Sequence, residues 1–109
     1  MSLIEFRGAK IPQNEAEVLR EIEQFTDIKF SLVEDIKTLP KMGFSVKHDY
    51  VVGISLIKCG LTSLPESIGD FSNLKTLRID YSKITTLPKS IGRLENLRHL
   101  FLAKNELQT

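Results

Sequence analysis

The stretch that decides the fold is 64–97, LPESIGDFSNLKTLRIDYSKITTLPKSIGRLENL. Within it Leu64-Pro65 recurs as Leu87-Pro88, and Ile68-Gly69 recurs as Ile91-Gly92, so the chain repeats every 23 residues. Further columns run through three copies without a slip: Val51, Leu74, Leu97; Ile54, Leu77, Leu100; Leu56, Ile79, Leu102; Cys59, Ser82, Asn105; and Leu61, Ile84, Leu107. A fixed period of this length predicts a repeat architecture.

Each copy contains an alternating apolar stretch, such as Leu77-x-Ile79, which predicts a short strand. The Leu-Pro pair that follows fixes φ and removes a backbone donor, so the strand cannot continue, and a brief helical or extended convex segment begins. One strand per repeat predicts an α/β solenoid whose strands stack in parallel over a continuous core of Leu and Ile.

The repeats in 51–109 resemble a leucine-rich repeat domain of the 23-residue Ras-group type, with the pattern L-x-x-L-x-L-x-x-N-x-L-x-x-L-P-x-x-I-G-x-L-x-x-L. The segment 43–54 resembles the hairpin that opens such arrays in archaea and bacteria, and we expect a source of that kind. The position that normally holds Asn is Cys59, Ser82 and Asn105 in turn, so the asparagine ladder is incomplete. We expect Cys59 to pack as a small apolar residue rather than to act as a reactive thiol.

The resemblance implies a non-enzymatic protein-interaction module, either complete or a fragment of a larger signalling protein. In this family the variable strand side chains point to the concave face and contact the partner. The repeat phase assigns that role to Ser55, Ile57, Lys58, Arg78, Asp80, Tyr81, His99, Phe101 and Lys104, with Gly53, Thr76 and Ala103 between them. Aromatic residues and Arg are enriched at binding hot spots, although isolated exposed aromatics are also common on surfaces without a partner.

Residues 1–50 are predicted to cap the first apolar layer of the array. We expect a helix at about 14–26, with Asn14 and Glu17 as a capping box and with Val18, Leu19, Ile22 and Phe25 facing the core. Glu15, Glu17, Arg20, Glu21, Glu23 and Gln24 are then expected to face solvent. For 31–39, which Pro40 ends, a second short helix and a strand remain open, and a hairpin at about 43–54 would turn at His48-Asp49.

The composition is that of an ordinary soluble domain: 109 residues, 41% hydrophobic and 27% charged, with 15 basic and 14 acidic side chains. Such a balance recruits neither nucleic acid nor an anionic membrane, and no stretch approaches the roughly 20 apolar residues of a membrane span. With one cysteine and a charged N-terminus, we expect a cytoplasmic protein. A compact chain of this length would expose about 6,100 Å².

No signature of catalysis, metal binding or nucleotide binding is found, so we expect no cofactor and no enzymatic activity. His48 lacks a second ligand at metal-binding spacing. Asp80 and His99 are expected near one another on neighbouring strands, yet no nucleophile completes a triad with them.

The third copy stops at Asn105-Glu106-Leu107-Gln108-Thr109, where a Leu-Pro pair would come next, so 51–109 holds two full repeats and one partial repeat. We expect the array to be truncated at this end, exposing Leu97, Leu100, Leu102 and Leu107. Two explanations stay open: a fragment of a longer array, or a homodimer joined through this edge as a structural self-assembly unit.

Overall fold

The structure is a computed structural model that describes residues 2–34, 42–103 and 105. Their elements are β1 (Leu3–Phe6), β2 (Ala9–Pro12), α1 (Gln13–Thr26), β3 (Ser31–Leu32), β4 (Met42–Lys47), β5 (Tyr50–Leu56), β6 (Thr76–Arg78) and β7 (His99–Phe101). Two short 3₁₀ helices, Glu66–Asp70 and Lys89–Arg93, follow the two Leu-Pro pairs, where proline ends the extended chain.

The repeats build one end of a sheet with the strand order β3-β4-β5-β6-β7. Strands β5, β6 and β7 pair in parallel, and the register places Gly53 beside Thr76 and Thr76 beside His99. Both neighbours are one repeat apart in sequence, so each repeat contributes one strand. This register confirms the predicted parallel sheet and its 23-residue period.

The core lies under the sheet and extends into the N-terminal part of the chain. Ile54 and Leu77, from equivalent repeat positions, are fully buried, as is Phe71 on the way into β6. The same cluster includes Ile11 of β2 and Leu19 of α1. The N-terminal elements and the repeats therefore share one hydrophobic core.

The hairpin of β4 and β5 turns at His48 and Asp49, whose φ values of 53° and 66° are those of a type I′ turn. Its antiparallel register shifts between Ser45, which pairs with Gly53, and Val46, which pairs with Val51. The strand β5 therefore carries an extra residue, a β-bulge, just before it begins to pair with β6.

Helix α1 starts at Gln13, one residue before the predicted start, and the expected capping box is wrong. Pro12 occupies the N-cap position, and no side chain caps the first turn. The Pro12 ring holds φ at −59° in the extended backbone that precedes the helix, and it offers no side-chain acceptor to the first turn. Asn14 consequently lies inside the first turn, where its side chain cannot act as the N-cap.

The predicted faces of α1 are also wrong at three positions. Glu15 and Glu23 are buried instead of solvated, because Glu15 accepts a hydrogen bond from the Val51 N–H at 2.9 Å and Glu23 accepts one from the Phe30 N–H at 2.7 Å. Phe25 is 61% exposed instead of packed in the core. The buried face of α1 thus includes two carboxylates that accept hydrogen bonds from backbone N–H groups. The spacing of apolar residues in the sequence does not reveal them.

The structure describes part of 31–39, the segment for which the sequence allows either a short helix or a strand. Ser31–Leu32 form β3, which pairs in parallel with β4 through Gly43 and Phe44. Residues 35–41 lie outside the described part of the chain.

Candidate functional site

The candidate site is the strand face, which we define as the side of β4–β7 that points away from the core. Alternation along the strands assigns to it Gly53 and Ser55 of β5, Thr76 and Arg78 of β6, and His99 and Phe101 of β7. The loops that leave these strands add Ile57, Lys58, Asp80, Tyr81 and Ala103. The site residues predicted from the sequence lie on this face or at its end, with the exceptions given below.

Arg78 is held at the centre of the strand face by Asp80. Its Nη2 and Nε donate to Asp80 Oδ2 at 2.9 and 3.3 Å, while Asp80 Oδ1 accepts the Ala103 N–H at 3.0 Å. The Asp80 side chain is only 5% exposed. Both oxygens of Asp80 are therefore engaged within the chain, where Asp80 positions Arg78; its contact with a partner stays a prediction.

An aromatic cluster lies beside this ion pair. The Arg78 guanidinium carbon sits 4.7 Å from the centre of the Phe101 ring, a cation–π distance. The ring of His99, which is also on β7, stacks on the Phe101 ring. The two ring centroids are 6.2 Å apart and the ring planes differ by 16°. Because Phe101 remains 41% exposed, these contacts fix its position without removing it from solvent.

Tyr81 and Lys58 form a second pair at the carboxyl ends of the strands. Both residues have left-handed backbones, with φ of 59° and 57°, at equivalent positions of consecutive repeats. Lys58 Nζ lies 5.5 Å from the centre of the Tyr81 ring, and Tyr81 is 51% exposed. Ile57, the neighbouring position, is half-buried.

One predicted contact residue of this face is covered, and one predicted proximity is wrong. Ser55 is fully buried, and its hydroxyl accepts the Gly43 N–H at 3.0 Å; its contact with a partner stays a prediction. Asp80 and His99 are not strand neighbours, because the register pairs His99 with Thr76 and leaves Asp80 bonded to Ala103. Lys104 lies outside the described residues.

The edge of the sheet at β7 carries one exposed core-type residue. Leu100 is 39% exposed. Leu97 and Leu102 are less exposed, because both pack against the core cluster and are partly buried there. The prediction that all of these side chains are exposed is therefore too broad, and Leu107 lies outside the described residues. Among the described strands, none pairs with the outer edge of β7.

Sequence reasoning placed Asp80 beside Arg78 as a surface ion pair but missed that Asp80 is buried and orients Arg78. Arg78 and Asp80 are two residues apart, which puts them on one face of an extended chain. It also missed the contact between Arg78 and Phe101, which follows from their pairing in neighbouring strands.

Other chemistry is not apparent in the described part of the chain. Among residues 2–34, 42–103 and 105, no three His, Cys, Asp or Glu side chains converge in a way that could hold a metal ion. Cys59 is half-buried, and its thiol donates to the Ile57 carbonyl at 3.4 Å. Over the same residues, no helix is long and apolar enough to cross a membrane.

Residues 54–107 match the family model described as Leucine rich repeat. No curated protein matches the chain.

Proposed function

We propose, on the premise that residues 54–107 belong to the leucine-rich repeat family, that the chain is a non-enzymatic protein-interaction module whose strand face binds the partner. Domains of this family typically bind proteins. In this proposal the repeats stack as a solenoid with the strand face concave, and the elements in 1–50 cap its first layer. The three parallel strands in one-repeat register support that arrangement.

The observation that carries the proposal is the set formed by Arg78, Tyr81 and Phe101, of which the two aromatic side chains are exposed and Arg78 is partly buried. Aromatic and arginine side chains dominate the binding energy of protein interfaces. Asp80 already holds Arg78 and His99 stacks on Phe101, so these two side chains lose little conformational entropy on binding. A pre-positioned group of this composition suits a protein surface.

The test compares partner capture by the wild type with capture by a Tyr81→Ala, Phe101→Ala double variant. A partner recovered from the source cell would be purified and titrated by calorimetry against each protein. We expect the double variant to bind at least about 100-fold more weakly, since two hot-spot residues are removed. Phe25→Ala is the matched control, because Phe25 is an aromatic residue on α1 that is more exposed than either Tyr81 or Phe101.

If Phe25→Ala weakens binding as much as the double variant does, the strand face is not the binding surface. Circular dichroism of each variant checks that the fold is intact.

A second candidate function, self-assembly through β7, is favoured by the exposure of Leu100 on a strand with an open edge among the described residues. A homodimer would cover that apolar side chain and could pair the open edge. Leu100→Lys should then shift a dimer to monomer in sedimentation velocity. Leu3→Lys is the control, since Leu3 is 40% exposed on β1. A monomeric wild type at about 100 μM would remove this candidate.

A further inference from the structure

A cavity of about 300 Å³ opens on the strand face where β4, β5 and β6 run side by side. It lies toward the end of the sheet where β5 and β6 begin, away from Arg78, Tyr81 and Phe101. Six of its lining residues matter for its chemistry: Glu34, Ser45, Lys47, Gly53, Lys75 and Thr76. We call this cavity the glycine notch.

The notch exists because glycine occupies the middle of a row of three strands. Gly53 is paired with Ser45 on one side and with Thr76 on the other. Residues paired in this way point to the same face, and adjacent strands are about 4.8 Å apart. The missing side chain therefore leaves a gap about two strand spacings wide between two hydroxyl-bearing residues.

Both hydroxyls at the notch are free to bind a ligand. Ser45 is only 6% exposed, and it lines the cavity together with Thr76. Neither side chain has a hydrogen-bond partner in the part of the chain that the structure describes. Thr76 is partly buried and both residues line the open cavity, so both hydroxyls can donate to an acceptor that enters it.

The charges at the rim favour an anionic acceptor. Lys47 and Lys75 are exposed there, and neither forms an ion pair within 4.0 Å among the described residues. Glu34 adds one negative charge to the lining, so the two ammonium groups leave the rim with a net positive charge. Charge-assisted hydrogen bonds to a carboxylate are stronger than bonds between neutral groups.

We propose that the glycine notch binds the carboxylate of an aspartate or glutamate side chain presented by the protein partner. This inference rests on the proposed function and adds the chemistry of one partner residue. The hydroxyls of Ser45 and Thr76 donate to the carboxylate oxygens, and Lys47 and Lys75 supply the opposite charge.

The distance between the notch and Phe101 indicates how a second partner group would be placed relative to the acidic one. Gly53 and Thr76 form one row of the sheet, and Arg78 and Phe101 belong to the row two residues further on. Phe101 lies two strands from Gly53, about 10 Å across the sheet, and two residues, about 7 Å, along it. A partner group that contacts Phe101 would therefore lie about 12 Å from the acidic side chain in the notch, further apart than alternate side chains of one extended strand.

The experiment is a titration of the ¹⁵N-labelled protein with the peptide Ac-Gly-Glu-Gly-NH₂, followed by two-dimensional NMR. The matched probe is Ac-Gly-Gln-Gly-NH₂, which has the same shape without the charge. We expect the amide signals of Ser45, Gly53 and Thr76 to shift and saturate at millimolar peptide, with binding of the Gln peptide at least about tenfold weaker.

Three substitutions locate the site. Gly53→Ala should abolish binding by filling the notch, and Lys75→Gln should weaken it about fivefold, as expected for the loss of one rim charge. Ser45→Ala removes a donor with little change in volume and should also weaken binding, so the test survives if Gly53→Ala does not fold. Lys89→Gln is the control, because Lys89 is an exposed lysine on the second 3₁₀ helix.

Equal shifts with the Glu and Gln peptides, or an equal loss in Lys75→Gln and Lys89→Gln, would overturn the proposal. So would shifts caused by inorganic phosphate in the absence of shifts caused by the Glu peptide. The failure of the notch is distinguishable from the failure of the proposed function. If the notch fails, partner binding still depends on Tyr81 and Phe101; if the function fails, the Tyr81→Ala, Phe101→Ala variant binds as the wild type does.

Discussion

At the scale of single residues, the most unusual group is the carboxyl of Glu15. It is 1% exposed on α1 and accepts the N–H of Val51 at the bulge of β5, so it ties the helix to the start of the repeat sheet. Burial raises the pKa of Glu15 from 4.5 to about 7; the hydrogen bond from Val51 opposes this shift, and the Asp70 carboxylate adds to it. Its protonation state therefore changes near neutral pH.

This raised pKa predicts a pH-dependent stability. The unfolded chain loses the Glu15 proton near pH 4.5 and the folded chain only near pH 7, so the free energy of unfolding should fall as the pH rises between these values and then level off. The loss is at most about 3 kcal/mol. Glu15→Gln should remove this slope and be more stable than the wild type at pH 8, as urea unfolding at pH 5 and pH 8 would measure.

Glu17→Gln is the control for that series, since Glu17 is exposed on the same helix turn. A slope that persists unchanged in Glu15→Gln, or disappears equally in Glu17→Gln, would assign the pH dependence to other groups.

Asn105 makes hydrogen bonds to backbone groups of the preceding repeat, although the asparagine ladder of the repeats is incomplete. Its Nδ2 donates to the Ile79 carbonyl at 2.5 Å, and its Oδ1 accepts the Ile84 N–H at 3.1 Å. One repeat earlier, the Ser82 hydroxyl donates to the Leu56 carbonyl at 3.3 Å, the equivalent atom. Serine thus replaces one of the bonds that asparagine makes, which is why the ladder tolerates it.

Asn105→Ala should lower the free energy of unfolding by about 2 kcal/mol, because it leaves backbone groups of the preceding turn without their partner. Thermal unfolding followed by circular dichroism measures this loss. Asn14→Ala should be nearly neutral, because Asn14 makes no capping bond in the first turn of α1. A comparable loss in both variants would contradict the roles assigned to these two asparagines.

At the scale of elements, the two repeated Ile-Gly pairs are equal in sequence and unequal in structure. A Cβ on Gly69 would lie 2.8 Å from the Cβ of Ser90 and 2.7 Å from Arg93 Nε, in the next 3₁₀ helix. Among the residues that the structure describes, a Cβ on Gly92 would meet no atom within 4 Å. Gly69 therefore permits close stacking of one repeat on the next, while the same position in the following copy faces open space.

Gly69→Ala should lower the free energy of unfolding by about 1–2 kcal/mol, because the exposed Arg93 side chain can move but the Ser90 Cβ can shift only with its backbone. Gly92→Ala should be neutral or stabilise by about 0.5 kcal/mol, since alanine restricts the unfolded chain. Chemical denaturation of both variants measures the difference. Equal effects would contradict the stacking contact.

The elements also show how far the sequence predicts this fold. The repeat columns give the strands, their parallel order and their register, because a long periodic pattern averages out local ambiguity. Helix α1 is seen at nearly its true position, but its buried Glu15 and Glu23 depend on contacts with distant backbone N–H groups. The hairpin of β1 and β2 was not predicted, since its signal is the single pair Arg7-Gly8 at a turn.

The candidate site is predictable to the extent that it follows the repeat phase. Phase places Arg78 and Phe101 on neighbouring strands, and the structure brings these two side chains into contact. It does not tell that Ser55 is covered, because that depends on pairing with Gly43 outside the repeats, or that Asp80 is buried, because that depends on the bonds of both its oxygens to Arg78 and Ala103.

At the scale of the whole molecule, the N-terminal part and the repeats form one compact body. The radius of gyration is 12.7 Å and the accessible surface is 6300 Å², close to the roughly 6,100 Å² expected for a compact chain of this length. Polar contacts between the two parts reinforce the shared core: Ser67 donates to Glu21 of α1 at 3.1 Å, and Val51 donates to Glu15.

One core predicts one cooperative unfolding transition, and the chain offers a clean way to test this because it contains no Trp. Phe25→Trp places a reporter on α1 and Tyr81→Trp places one after β6, both at exposed positions where an indole is tolerated. The urea transitions of the two reporters, followed by fluorescence, should coincide with each other and with the loss of circular dichroism. If the α1 reporter changed at lower urea than the repeat reporter, the N-terminal part would be a separately unfolding unit, and the hydrogen bonds of Glu15 and Glu21 would not couple it to the repeats.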